Sequence, residues 1–157
     1  MQRRCSVIDS AKPICTVSIH QNSYHEEGVH GAQAFYYSHS AEGKELAEMI
    51  QASLIGTVDP ENHRVAKAND SYYLLKRTET PVVIVECGFL SNWVESAKLE
   101  DEYYQEKLAW AVHMADRACR YPLKLNAVKN RFPCQSKEPE TGSAGLLTGL
   151  RHPLYSW

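Results

Sequence analysis

Three shortages narrow the possibilities before any motif is considered. No apolar run in the 157 residues approaches the ~18 residues of a membrane-spanning helix, and the opening MQRRCSVIDSAKP has two arginines without the apolar stretch of a signal peptide. Cysteine is sparse and unpatterned. Cys5, Cys15, Cys87, Cys119 and Cys134 form no CxxC pair, which argues against a disulfide framework or a thiolate metal cluster and for free, mostly buried thiols. Charge of one sign is also lacking: the net charge is −2 and the pI about 6.4, so nothing recommends nucleic acid or an anionic membrane as partner. No internal repeat is visible. What remains is 43% hydrophobic and 23% charged, the balance of one domain with a normal core.

The pattern along the chain predicts an α/β fold. Residues 3–11 read as a helix stopped by Pro13. Ile14–Ile19 alternates as a short strand, and Gly31 introduces a second strand at AQAFYY. Ser40 suits the N-cap of a helix through Leu54, with Leu46, Met49, Ile50 and Leu54 on one face and Gly56 near its end. NHRVAKANDSYYLLK predicts a short helix and then a strand at YYLLK. PVVIVECGF is the strongest signal, since five apolar or β-branched residues after Pro81 describe a strand buried on both faces. Asn92 with Glu95 three residues on resembles a capping box. A helix from Glu102 to Tyr121 follows, its Tyr104, Leu108, Val112, Ala115 and Cys119 facing the sheet. Strands alternating with helices give a mixed, mostly parallel sheet flanked by helices. Residues 122–157, rich in Pro, Gly, Ser and charge at QSKEPETGSAG, read as a poorly ordered tail.

Ligands of open α/β sheets collect beyond the carboxyl ends of strands, and two strands here end in reactive side chains. TVSI runs into His20 and VVIV into Glu86. An imidazole there suits zinc, and a carboxylate near the core suits a base acting on a metal-bound water. The blander alternatives are a hydrogen-bonded histidine and a paired carboxylate. Cys87 with His20 suggests a nucleophile pair, but strand alternation turns Cys87 away from the side that Glu86 faces. HEEGVH at residues 25–30 is one residue too long for a zinc helix, because positions five apart lie about 140° apart around the axis. The pairs Tyr36–Tyr37, Tyr72–Tyr73 and Tyr103–Tyr104 suggest sugar stacking, with core packing as the default. Arg64 and Lys67, on one side of a helix if one forms there, are substrate-binding candidates alongside Asn22.

SIHQNSYH, GAQAFYY, NHRVAK, YYLLK and PVVIVECGFLSN, in this order and spacing, resemble the zinc-dependent N-acetylmuramoyl-L-alanine amidases, most of all the germination-type amidase of the spore cortex. The resemblance covers about residues 5–121. It implies hydrolysis of the amide between N-acetylmuramic acid and the L-alanine of the stem peptide. It also implies a zinc held by two histidines and a glutamate, with His20 as the second histidine and Glu86 as the catalytic glutamate that activates water and passes its proton to the leaving amine.

The family's first histidine, in a PGHGG-type motif, and its glutamate ligand both precede the SIHQN strand, whereas the 19 residues before His20 hold neither His nor Glu. Two of three zinc ligands therefore lack a counterpart. The expectation is the C-terminal portion of an amidase, residues 1–121, without its first strand and with a divergent tail. Peptidoglycan is the expected partner, with an activating partner protein conceivable by analogy, and the expected location is extracytoplasmic. The competing expectation is an inactive remnant that binds peptidoglycan or a partner.

Overall fold

The sheet is built around the strand that the sequence marks most clearly. In the computed structural model, which describes residues 1–120, every residue of Val82–Phe89 is buried. Five helices and four strands occur among the described residues: α1 Gln2–Ala11, β1 Thr16–Asn22, β2 Gln33–Tyr36, α2 Ala41–Thr57, β3 Lys67–Ala68, α3 Tyr73–Lys76, β4 Val82–Phe89, α4 Trp93–Glu100 and α5 Glu102–Arg120. The strand order is β1-β4-β2-β3. The β1–β4 and β2–β3 pairs are parallel and β2–β4 is antiparallel, which is the mixed, mostly parallel sheet expected. The expectation for residues 122–157 lies outside the described residues.

Alternation along β4 divides the core. Val83, Val85 and Cys87 pack with Leu46, Ile50 and Leu54 of α2 and with Leu108, Ala111 and Ala115 of α5. Val82 and Ile84 point the other way, to Cys5 of α1, Phe35 of β2 and Leu74 and Leu75 of α3. Helices thus cover both faces, which is why β4 has no polar alternation before Glu86. Leu46, Ile50 and Leu54 are fully buried, each such burial stabilising by about 1.5–3 kcal/mol.

The helix ends are largely as expected. Ser40 caps α2, its hydroxyl accepting from the Gly43 amide, and Asn92 caps α4 by accepting from the Val94 and Glu95 amides. Two expectations fail here. Gly56 does not end α2; the helix runs to Thr57 and its C-cap Val58 stays right-handed, so no left-handed glycine is needed. Glu95 does not close a capping box either, because its carboxylate is engaged elsewhere in the structure, as described below.

The segment between α2 and β4 also departs from expectation. A two-residue strand, β3, comes first, and YYLLK forms the one-turn helix α3. Leu74 and Leu75 are both buried in one cluster. Adjacent strand residues face opposite sides, whereas a helical turn sends both to the same sheet face. The Asn69 side chain sets this up by accepting from the amides of Ser71 and Tyr72, an Asx turn that competes with an extended chain. Residues 61–66 are not helical, so Arg64 and Lys67 do not share a helix face.

Candidate active site

Parallel pairing of β1 with β4 sets His20 directly beside Glu86. Both lie near the carboxyl ends of their strands, where the β1–β4 register slips between His20 and Asn22 and the backbone opens. Ser18 shares the side of β1 that His20 occupies, and its hydroxyl lies 2.9 Å from His20 Nε2. Together with Met1, Ile84, Leu74 and the two tyrosines at 72 and 73, His20 and Glu86 line a cavity of about 230 Å³.

Glu86 is only 7% exposed, and its Oε2 has no hydrogen-bond partner. Burial raises its pKa above the ordinary glutamate value, and the nearby His20 draws it partly back. An unpartnered carboxylate in such a place is costly to keep charged, so it holds a proton more readily than a surface glutamate. The Tyr72 hydroxyl is raised as well, by burial and then by the charge of Glu86. This is the electrostatic setting of a group that takes and returns a proton.

A second buried carboxylate stands close by in sequence and does something different. Glu95, 6% exposed, accepts from the Gly31 amide through Oε1 at 2.8 Å and from the Phe89 amide through Oε2 at 2.8 Å. It ties the loop ahead of β2 to the end of β4. Gly31 adopts φ +100, and a Cβ there would meet Asn62 Oδ1 at 2.7 Å. Sequence reading assigned Glu95 only to a helix start. The glycine that it binds lies 64 residues away, a pairing that no local pattern announces.

Cys87 is excluded as a partner of His20. It lies on the α2–α5 side of β4, and burial, followed by the charge of Glu86, pushes its thiol up to about 11. A larger groove of about 610 Å³ lies on that same side, walled by Val17, Ile19, Leu108 and Val112. The smaller cavity is the better candidate because its walls join an imidazole to an unpartnered carboxylate.

The three substrate-binding candidates stand outside the cavity wall. Asn22 ends β1, its side chain accepting from the Ser23 amide and its carbonyl from the Leu90 amide. Arg64 donates to the His30 carbonyl at 2.6 Å and to Gln33 Oε1 at 3.0 Å, with its guanidinium 4.8 Å from the Phe89 ring centroid. Lys67 is exposed on β3, at the opposite edge of the sheet from His20.

Zinc needs about three protein ligands. Among the described residues no three His, Cys, Asp or Glu side chains are grouped to hold a metal, and Nε2 of His20 faces the Ser18 hydroxyl. His25 and Glu26 pair at 3.5 Å on the surface and are exposed. His20 and the orphaned Glu86 oxygen do not by themselves make a zinc site.

A family model described as N-acetylmuramoyl-L-alanine amidase matches residues 1–115. The germination-specific N-acetylmuramoyl-L-alanine amidase of Bacillus subtilis (strain 168) is 32% identical over 113 residues, covering 72% of this chain and 47% of that protein. LytC, an N-acetylmuramoyl-L-alanine amidase of the same organism, is 30% identical over 115 residues, covering 72% and 23%. Among solved structures, the CwlD amidase from Clostridioides difficile in complex with the GerS lipoprotein matches with a TM-score of 0.73 and 41% identity, covering 75% of this chain and 60% of that one. The chain thus spans about half the length of the germination-specific relative. With a family model matched over residues 1–115 and a mixed sheet flanked by helices, the chain belongs to the N-acetylmuramoyl-L-alanine amidase family.

Proposed function

We propose that this chain serves hydrolysis of the amide between N-acetylmuramic acid and L-alanine in peptidoglycan, with Glu86 as the catalytic group. The observation that carries this reading is the buried Glu86 carboxylate, one oxygen unpartnered, beside His20 in the cavity. Amide hydrolysis needs a proton removed from water and a proton delivered to the departing amine. Glu86, with its pKa raised by burial, is suited to both transfers.

The family is generally zinc-dependent, and His20 is proposed as one ligand. The described residues do not complete a metal site, so the reading assigns further ligands to protein that is not among them. Residues 1–121 form the amidase part, apart from residues 122–157. Asn22, Arg64 and Lys67, which do not line the cavity, are the proposed outer substrate contacts. Peptidoglycan lies outside the cytoplasmic membrane, so the proposed place of action is extracytoplasmic, with spore cortex as the target favoured by the germination-specific relative. The complex of the Clostridioides difficile relative with a lipoprotein supports a partner protein for this chain as well.

The test is a chimera in which the part of the germination-specific relative that precedes its match is fused ahead of Met1. The expected result is near-stoichiometric zinc by elemental analysis, lost in His20→Ala, and release of peptides with free L-alanine amino groups from cortex peptidoglycan, lost in Glu86→Gln. A chimera that binds zinc yet cleaves equally well as Glu86→Gln contradicts the assignment.

A further inference from the structure

The cavity at His20 and Glu86 has a wall that proton transfer does not use. Tyr72 and Tyr73 both line it, while Tyr36–Tyr37 and Tyr103–Tyr104 do not. Core packing explains Tyr72 in part, since it meets the Phe35 ring edge-on with centroids 5.6 Å apart. It does not explain Tyr73, which stays 39% exposed although α3 buries Leu74 and Leu75 immediately after it.

Tyr73 is exposed but held in place. The Asn69 turn fixes the start of α3 through the Tyr72 amide, the two leucines anchor it to the sheet, and the Arg77 guanidinium lies 5.6 Å from the Tyr73 ring centroid. A ring fixed in this way loses little entropy when it meets a ligand. Large, rigid aromatic surface at the mouth of a concave site is a recognition surface more than a packing one.

We propose that Tyr72 and Tyr73 form the wall that receives the N-acetylmuramoyl sugar, on the acyl side of the amide that is cleaved. This rests on the amidase reading and adds to it the side of the substrate that the wall contacts. The pyranose offers a neutral ring face of C–H groups, which suits the negative face of an aromatic ring. A stem peptide brings carboxylates, and no lysine or arginine lines the cavity to pair with them; the guanidinium of Arg77, against the Tyr73 ring, stands outside that lining.

Ligand affinities separate the outcomes. The full chain carrying Glu86→Gln, which consumes no ligand, is titrated by NMR with N-acetylmuramoyl-L-alanyl-D-isoglutamine and with L-alanyl-D-isoglutamine. Adding Tyr73→Ala is expected to weaken the muramoyl ligand about fivefold, the size of one lost aromatic contact, and to leave the dipeptide within about twofold. Tyr73→Phe is expected to restore binding, because the contact uses the ring and not the hydroxyl. Tyr72→Ala is the companion variant, read only if its circular dichroism matches the parent. Unchanged muramoyl affinity in Tyr73→Ala, or equal weakening of both ligands, overturns the sugar assignment while leaving the role of Glu86 intact. Failure of the parent chain to bind either ligand overturns this inference together with the peptidoglycan reading.

Discussion

Glu86 and Glu95 are two glutamates of nearly equal burial, nine residues apart, with opposite fates. Both oxygens of Glu95 accept backbone hydrogen bonds, and Glu86 leaves one oxygen without any. The first is structural: it joins Gly31 to Phe89 and fixes the loop that leads into β2. The second is held within a buried strand, three residues before its end, with its proton affinity raised. Burial alone therefore does not mark a functional carboxylate; what marks it is burial without the partners that would satisfy it.

Substitutions at the two positions should separate sharply. Glu95→Ala has the largest expected effect, because it strands two buried amides, and the loss is about 3 kcal/mol in denaturant unfolding. A loss below about 1 kcal/mol would mean that the two bonds are not what ties Gly31 to the end of β4. Gly31→Ala comes next at about 2 kcal/mol, since the new Cβ must occupy a left-handed conformation against Asn62. Tolerance of alanine there would contradict the close approach.

Glu86→Gln should instead leave stability at neutral pH within about 1 kcal/mol of wild type or raise it, because it removes a charge that burial disfavours. The pH dependence gives the sign. The folded chain binds the Glu86 proton more tightly than the unfolded chain does, so this carboxyl favours folding below the ordinary glutamate value of 4.5. That advantage is lost as the pH rises through the raised folded value. The melting temperature of wild type relative to Glu86→Gln should accordingly fall as the pH rises above 4.5. A rise over that range would make Glu86 a stabilising, paired carboxylate like Glu95. Asn92→Ala is expected to cost about 1 kcal/mol from loss of the α4 cap. It should leave the melting difference between wild type and Glu86→Gln unchanged.

The contrast also explains which features could be read from the sequence. β4 was legible because burial on both faces imposes a continuous apolar run, and α2 because Ser40 and the Leu46–Ile50–Leu54 stripe are local signals. The runs placed His20 and Glu86 on neighbouring strands and their adjacency needed only parallel pairing, but both strands continue past them, to Asn22 and Phe89. The role of Glu95 was illegible because its partner Gly31 is remote, so the local capping pattern gave the wrong partner. YYLLK has the local preference of a strand and folds as a helical turn because both leucines turn to one sheet face. Tyr73 shows the same limit, since its exposure follows from the one-turn helix and not from its residue type.

The most direct measurement is the NMR titration of the Glu86 side-chain carboxyl, assigned by comparison with Glu86→Gln. A midpoint above the ordinary value of 4.5, falling back toward it when Ile84→Ser makes the cavity wall more polar, is the result expected of a buried, unpartnered proton-transfer group. A midpoint at or below 4.5 would show a carboxylate satisfied in its charged form, and Glu86 would then be a structural residue.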